Sequence, residues 1–306
     1  MSPPTGAAAR ALLVARLQVL AAALLFSTGG AAIKATALSS WQVASFRSGI
    51  AALALLAMLP SSRRIFSFGW GMAGIGVAYG TTMVLFVAGN KLTTAANTIF
   101  LQSTAPLYVL TLAPWLLAEK VRRRDLVYMA ALAAGLALFF VSQRAPDALA
   151  PNPFAGNLIA ALSGVTWGVT LLGLRFLGRG AAATPGRDAG AAAVLVGNLF
   201  AFAVCLPAAL PVVGATGRDW TVIGFLGVFQ IGLAYVLLTR AFRHVGALEV
   251  ALLLLIEPVL SPIWAWLVHG ETPGPWGLAG GAVIFVATVV KTMVDFYRLR
   301  RPAPVH

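Results

Sequence analysis

Glu257 is the side chain whose position most suggests chemistry, because this carboxylate falls near the middle of a long apolar run, LLLLIEPVL. Charges at such depth in a membrane are expensive and mark functional sites. One interpretation makes Glu257 a proton carrier or an anchor for a substrate amino group. The other makes it the structural partner of Arg47, a cation well inside the second apolar run. Glu249, near the start of the same run as Glu257, is interpreted as a terminal or interfacial charge.

A second group of candidates consists of hydroxyl, amide, aromatic and thioether side chains at steps of three to five residues, most of which share a helix face. They are Tyr79, Thr82, Met83, Thr98, Gln102, Ser163, Trp167, Thr170, Gln230, Tyr235, Ser261 and Trp264. Hydroxyls and amides supply directional bonds and aromatics supply area, as a pocket for a small amphiphilic molecule requires. The alternative is ordinary hydrogen bonding between helices. With Glu257, these residues are predicted to line a substrate-binding cavity.

The composition indicates which elements must position these residues. Hydrophobic residues make up 59% of the 306-residue chain and charged residues 10%, whereas about a quarter of a soluble domain is charged. Apolar runs of about 18 to 25 residues recur, and each can cross a hydrocarbon core of about 30 Å as a helix. The sequence predicts an all-α polytopic membrane protein with ten transmembrane helices, at 12–33, 40–60, 67–90, 94–118, 125–143, 155–177, 189–213, 220–242, 247–269 and 274–296. The single Cys205 lies in one of these runs, which predicts a structural role.

An internal repeat organises these runs. The segment from Ala95 to Lys120 resembles the segment that starts 152 residues later, at Ala247, and in both a Pro precedes a Glu by thirteen residues. Those pairs are Pro106 with Glu119 and Pro258 with Glu271. A second match, at an offset of 141, relates Phe26 and Lys34 to Trp167 and Arg175. The chain therefore reads as two repeats, 1–148 and 149–306, joined by the proline-rich stretch 144–153.

The basic residues behind the net charge of +13 lie mostly in the loops and termini, a distribution that does not indicate a nucleic-acid-binding groove. Alternate loops and the termini carry most of the Lys and Arg residues, whereas the other loops carry only Lys34, Lys91, Arg144 and Arg218. Because Lys and Arg accumulate in cytoplasmic loops, both termini are expected to be cytoplasmic. Five helices per repeat is an odd number, so the second repeat is expected to be inverted. Inverted repeats are typical of secondary transporters, which bind substrate near the midplane.

Other function classes lack their residues. The three histidines, His244, His269 and His306, lie near helix ends or in the tail, and no carboxylates cluster, so neither a metal site nor a catalytic site is expected. No Gly-rich phosphate loop occurs, so neither a nucleotide cofactor nor ATP-driven transport is expected. A channel would need a narrow polar ring, and none is visible. Phosphorylated substrates would require several buried cations, and cationic drugs would require an acidic site, for which Glu257 is the candidate.

Charges and glycines near the helix ends receive simpler interpretations. Lys34, Lys91, Arg175 and Arg243 are predicted to extend to the lipid headgroups or to neutralise C-terminal carbonyls. Glu119 and Glu271 are predicted to pair with nearby cations or to cap the next helix, with a gate as the alternative. Glycines spaced four apart, at 76 and 80, 164 and 168, and 277 and 281, are predicted to let helices pack closely.

The two five-helix halves, with a cation eight residues after Phe26 and after Trp167 and a shared Pro-to-Glu spacing, resemble the EamA-type drug/metabolite transporters. Within that superfamily the chain looks like the bacterial amino-acid exporters of the YddG type. The resemblance implies a central cavity lined by helices one, three, four, six, eight and nine. It also implies export of neutral or aromatic amino acids across the bacterial inner membrane by a chain that is sufficient as a monomer. The chain departs from internal symmetry where Ser27 matches Gly168 and Ala105 matches Glu257.

Overall fold

A computed structural model describes residues 6–59, 70–118, 121–141, 145–180, 189–241 and 244–300. Over these ranges the chain is helical, and it contains no strand beyond the isolated bridge between Asp147 and Ala150. The helices are α1 (Gly6–Ser27), α2 (Gly29–Lys34), α3 (Ser40–Met58), α4 (Trp70–Leu92), α5 (Ala95–Gln102), α6 (Ala105–Leu117), α7 (Arg123–Leu138), α8 (Pro153–Gly180), α9 (Ala189–Ala209), α10 (Gly217–Phe225), a π-helical segment (Leu226–Leu233), α11 (Ala234–Ala241), α12 (Ala247–Leu254), α13 (Ile256–His269) and α14 (Pro275–Arg300).

Nine helical stretches within the described ranges are long and apolar enough to cross a membrane. They are Arg10–Lys34, Ser40–Met58, Trp70–Leu92, Ala95–Leu117, Pro153–Phe176, Gly190–Ala209, Gly217–Ala241, Glu249–His269 and Pro275–Tyr297. Each coincides with a predicted span. The tenth predicted span, 125–143, overlaps α7 (Arg123–Leu138), which has 16 residues and is not among the nine. Large apolar side chains on the outside of the bundle, such as Trp115 and Val127, suit a lipid environment.

Two of the spans are broken at equivalent positions. The break between α5 and α6 is followed by Pro106, and the break between α12 and α13 is followed by Pro258. Proline lacks an N–H and its ring clashes with the carbonyl four residues earlier, so a helix cannot continue through it undisturbed. Because α5 begins at Ala95 and α12 at Ala247, the breaks share the 152-residue offset of the repeat. The second break places Glu257 in the first turn of α13, where the helix dipole favours a negative charge.

Glycines bring the helices together, as their spacing predicts. A Cβ atom on Gly80 of α4 would lie 2.4 Å from the backbone oxygen of Gly197 in α9, closer than atoms can approach. A Cβ atom on Gly164 of α8 would lie 2.9 Å from the backbone oxygen of Leu101 in α5. These contacts fix α4 and α9 backbone to backbone and seat α8 against one of the broken spans. Cys205 is a free, buried thiol in the apolar core, which agrees with a structural role.

Candidate functional site

A cavity of about 180 Å³ lies inside the bundle where the broken spans and the π-helical segment meet. Its walls come from α1, α3, α4, α5, α8, the π segment, α11, α12 and α13. The lining residues are Phe26, Arg47, Tyr79, Met83, Phe86, Gln102, Trp167, Gln230, Ile231, Tyr235, Leu238, Leu254 and Glu257. A cavity formed at helix breaks is the arrangement in which transporters expose backbone and polar groups to a substrate.

Aromatic rings form one wall of this cavity. Tyr79 packs edge-on against Trp167 and Tyr235, with ring centroids 6.2 and 6.1 Å apart. Phe26 packs edge-on against Tyr235 at 5.2 Å. These distances fall in the range of favourable aromatic pairs, which hold the rings in fixed positions. Phe26 and Trp167, the aromatic residues related by the 141-residue offset, therefore face the same space.

Polar groups in the lining lack partners. Arg47 is 1% exposed, and its Nη2 donates to the backbone oxygen of Met83 at 3.2 Å. Among the described residues, its Nε atom has no hydrogen-bond partner, and neither does Oε1 of Gln230. Buried polar atoms are normally hydrogen-bonded, and leaving one unsatisfied costs about 1–3 kcal/mol. The cavity therefore presents polar atoms that a bound molecule could satisfy.

Arg47 and Glu257 line the same cavity but form no ion pair with each other. Within the described parts of the chain, the Glu257 carboxylate has neither an ion-pair partner nor a hydrogen-bond donor. The interpretation of Glu257 as the structural partner of Arg47 is therefore not what the geometry shows. Both side chains line the cavity, one of each charge.

The predicted site residues divide into two groups. Tyr79, Met83, Gln102, Trp167, Gln230, Tyr235 and Glu257 are in the cavity lining. Thr82, Thr98, Ser163, Thr170, Ser261 and Trp264 are outside it. In this second group the hydroxyls of Thr98, Ser163 and Thr170 donate to backbone oxygens three or four residues earlier in their own helices.

Two members of the second group connect helices. The Thr82 hydroxyl donates to the Thr166 hydroxyl at 2.7 Å, which joins α4 to α8. The indole nitrogen of Trp264 donates to the Ser27 hydroxyl at 2.9 Å, which joins α13 to α1. Both bonds link helices that contribute to the cavity wall, and they hold these helices in position.

The prediction did not include Arg47, Phe26 and Phe86 among the site residues. Phe26 carries a signal in the sequence, because it is the repeat equivalent of Trp167. For Arg47 the sequence offered only a possible pair with Glu257, and its place in the cavity lining is seen in the structure. Phe86 and the apolar residues of the lining have no sequence feature that separates them from core residues.

A buried ion pair lies outside the cavity lining and joins α2 to the loop after α13. Lys34 Nζ lies 3.1 Å from Glu271 Oε2, and the side chains are 3% and 0% exposed. The alignment is too poor for a hydrogen bond at Oε2, so the contact is electrostatic. Glu271 Oε1 accepts the backbone N–H of Ala95, the first residue of α5, at 2.6 Å. Glu271 thus pairs with a cation, as predicted, but the helix that it caps is α5 and not the next helix, α14.

The prediction that Lys34 reaches the headgroups was wrong, because Lys34 is buried. Its ammonium group also donates to the backbone oxygen of Thr93 at 2.8 Å, just beyond the end of α4, so the predicted contact with terminal carbonyls is present. Lys91 makes the same type of contact, to the backbone oxygen of Thr36 at 2.6 Å.

At the other end of the bundle, Glu249 pairs with Arg16 at 2.6 Å, and both side chains are partly exposed. This exposure agrees with an interfacial charge. Glu119 and Arg243 lie outside the described residues.

Comparison with known proteins identifies the family. The EamA-like transporter family matches residues 13–141 and 154–293. The chain belongs to the EamA-like transporter family. A solved crystal structure superposes with a TM-score of 0.59 over 94% of this chain and 99% of its own length, at 22% identity, which shows the fold alone.

Two curated relatives of this EamA-like chain come from two strains of Pseudomonas aeruginosa, and each is named Pseudopaline exporter CntI. Each is 41% identical over 78 residues, which are 26% of this chain and 27% of the relative. The similarity thus spans about a quarter of those proteins. Family membership makes the chain a multi-pass membrane protein and points to a transporter rather than an enzyme.

Proposed function

We propose that this EamA-like protein is a secondary transporter that exports small metabolites, in the first place neutral and aromatic amino acids, by alternating access through the central cavity. The observation that carries the proposal is one cavity that combines an aromatic wall with an unpaired cation and an unpaired anion. Aromatic area suits an apolar side chain, and the charges suit the polar groups of an amino acid.

The volume of the cavity favours a small substrate. At about 180 Å³ it is smaller than the about 300–1,000 Å³ of pockets for drug-sized ligands. A compact metabolite is therefore a better match than a bulky cationic drug. The alternative, export of another small organic metabolite, is favoured by the name of the two relatives, which are exporters of pseudopaline.

We further propose ten transmembrane helices in two inverted five-helix repeats, 1–148 and 149–306, with α7 as the fifth helix. The family match in two segments and the 152-residue offset between the helix breaks support this arrangement. The distribution of Lys and Arg supports cytoplasmic termini in a bacterial inner membrane. In this arrangement one chain holds both halves of the cavity, which favours a functional monomer.

The test is counterflow in proteoliposomes that contain purified protein and no ATP. Liposomes loaded with unlabelled phenylalanine should accumulate labelled phenylalanine, and competition by each of the twenty amino acids should give the substrate range. A sugar nucleotide and a quaternary ammonium compound serve as competitors from the rival substrate classes. Exchange of either rival, with no flux of any amino acid, would refute amino-acid transport.

A further inference from the structure

We propose that Arg47 and Glu257 are the two poles of a zwitterion-binding site, in which Arg47 binds the carboxylate of the substrate and Glu257 its ammonium group. The proposal rests on the proposed function, because it takes the cavity as the substrate site. It adds which residue binds which charged group of the substrate, and it requires that the ligand carry both charges on one small molecule.

Arg47 has the properties of a carboxylate-binding residue. It is 1% exposed, lies in a membrane span, and its contacts in the described structure are the backbone oxygen and the sulfur of Met83. A neutral carbonyl satisfies one edge of the guanidinium and leaves Nε without an acceptor. A guanidinium binds a carboxylate strongly, because the carboxylate can accept two parallel N–H bonds from it. The cavity is the place from which such a carboxylate can reach it.

Glu257 has the complementary properties. It lies in the first turn of α13, where the positive end of the helix dipole stabilises a carboxylate. No described residue forms an ion pair or hydrogen bond with it, and the residue is partly buried in the cavity wall, where a charge is stabilised by a partner of opposite sign. Gln230, whose Oε1 is also without a donor, lines the same cavity and offers a second acceptor for an ammonium group.

The separation of the two charges decides the ligand class. Had Arg47 and Glu257 formed an ion pair, each would have neutralised the other and neither would have required a ligand. As they are unpaired, an amine alone would leave Arg47 without a carboxylate, and an acid alone would leave Glu257 without a cation. A zwitterion satisfies both, while the aromatic wall of Phe26, Tyr79 and Trp167 receives its side chain.

The experiment measures competition against labelled phenylalanine with three ligands of one shape: phenylalanine, phenethylamine, which lacks the carboxylate, and 3-phenylpropionate, which lacks the ammonium group. With the unaltered protein, we expect each single-charge analogue to bind about 10- to 100-fold more weakly, because each loses hydrogen bonds to a charged group. Equal competition by either analogue would overturn the proposal.

Charge-deleting variants then assign each pole, with the binding of all three ligands measured by tryptophan fluorescence. Arg47→Gln should weaken phenylalanine binding about 10- to 100-fold and leave phenethylamine binding unchanged. Glu257→Gln should weaken phenylalanine binding similarly and leave 3-phenylpropionate binding unchanged. Ser48→Ala, a change of the buried neighbour of Arg47, is the matched control and should leave the order of all three ligands unchanged.

Equal loss of all three ligands in a variant of normal thermal stability would show that its residue has a structural role and overturn its assignment. If Arg47→Gln does not fold, Arg47→Lys keeps the charge but not the two parallel bonds, and it should bind phenylalanine more weakly while leaving phenethylamine binding unchanged. An unchanged preference for phenylalanine over phenethylamine would overturn the assignment of Arg47. Absence of binding by every amino acid and both analogues would refute the proposed function itself. Binding of amino acids without the predicted ligand pattern would refute only the two poles.

Discussion

The substitution Glu271→Gln tests the buried ion pair that joins α2 to the loop after α13. Glu271 and Lys34 are both almost fully buried, and their charged atoms lie 3.1 Å apart. The amide of glutamine has nearly the same shape as the carboxylate and can still accept the N–H of Ala95. The substitution therefore removes the negative charge and little else.

The magnitude follows from burial. Removing one partner of a buried ion pair costs about 3–5 kcal/mol, because the remaining charge is left uncompensated. The retained hydrogen bond to Ala95 reduces that loss by about 1 kcal/mol. Lys34 also keeps the backbone oxygen of Thr93 as an acceptor. We therefore expect the free energy of unfolding to fall by about 2–4 kcal/mol.

The assay is equilibrium unfolding in mixed micelles, followed by tryptophan fluorescence. Glu249→Gln is the matched control, because it removes the same charge from an ion pair of 2.6 Å whose side chains are 44% and 29% exposed. Exposed pairs contribute about 0–1 kcal/mol, so this control should change stability little. The double variant Lys34→Met with Glu271→Gln also removes the buried cation and should recover part of the loss. Equal effects of Glu271→Gln and Glu249→Gln would refute the reasoning from burial.

Two further predictions concern packing and topology. Gly80→Ala should lower the free energy of unfolding by about 1–3 kcal/mol, because its Cβ would lie 2.4 Å from a backbone oxygen of α9. Gly74→Ala on the same helix is the control, since its Cβ would meet no atom within 4 Å, and it should be neutral. Equal effects of the two substitutions on unfolding would contradict this packing account. The topology can be tested by labelling single cysteines in a Cys205→Ser background. A cysteine at the exposed Arg122 should react with an impermeant thiol reagent only from the cytoplasm, and one at the exposed Arg218 only from outside. Reaction of both from one side would contradict the proposed topology.

The membrane spans were predictable because lipid leaves a polypeptide few choices. An apolar run in a bilayer must satisfy its backbone hydrogen bonds internally, so hydropathy alone located Ser40–Met58 within two residues. The breaks were less accessible. Pro106 and Pro258 marked the repeat, but only the structure shows that each lies in the first turn of the helix that follows a break in its span. The π-helical segment Leu226–Leu233 has no residue type that would indicate it.

The site was predictable where a side chain has one use and ambiguous where it has two. The amides Gln102 and Gln230 line the cavity, and so does Trp167, whereas Trp264 lies outside it and donates to Ser27. Threonine can instead bond its own helix backbone, and Thr98 and Thr170 do so. The burial of Lys34 was missed because its partner is 237 residues away in sequence, and no local pattern encodes such a distance.

The difference between Ala105 and Glu257 has a consequence for how such a protein could evolve. The two residues hold equivalent places after the two helix breaks, yet only one is charged. A homodimer of separate five-helix subunits would have to place any such carboxylate in its shared cavity twice, and two like charges in one small space repel each other. Fusion of duplicated genes removes that constraint, since each copy can then mutate alone. A single acidic group with a single basic one is an asymmetry that two identical subunits cannot encode.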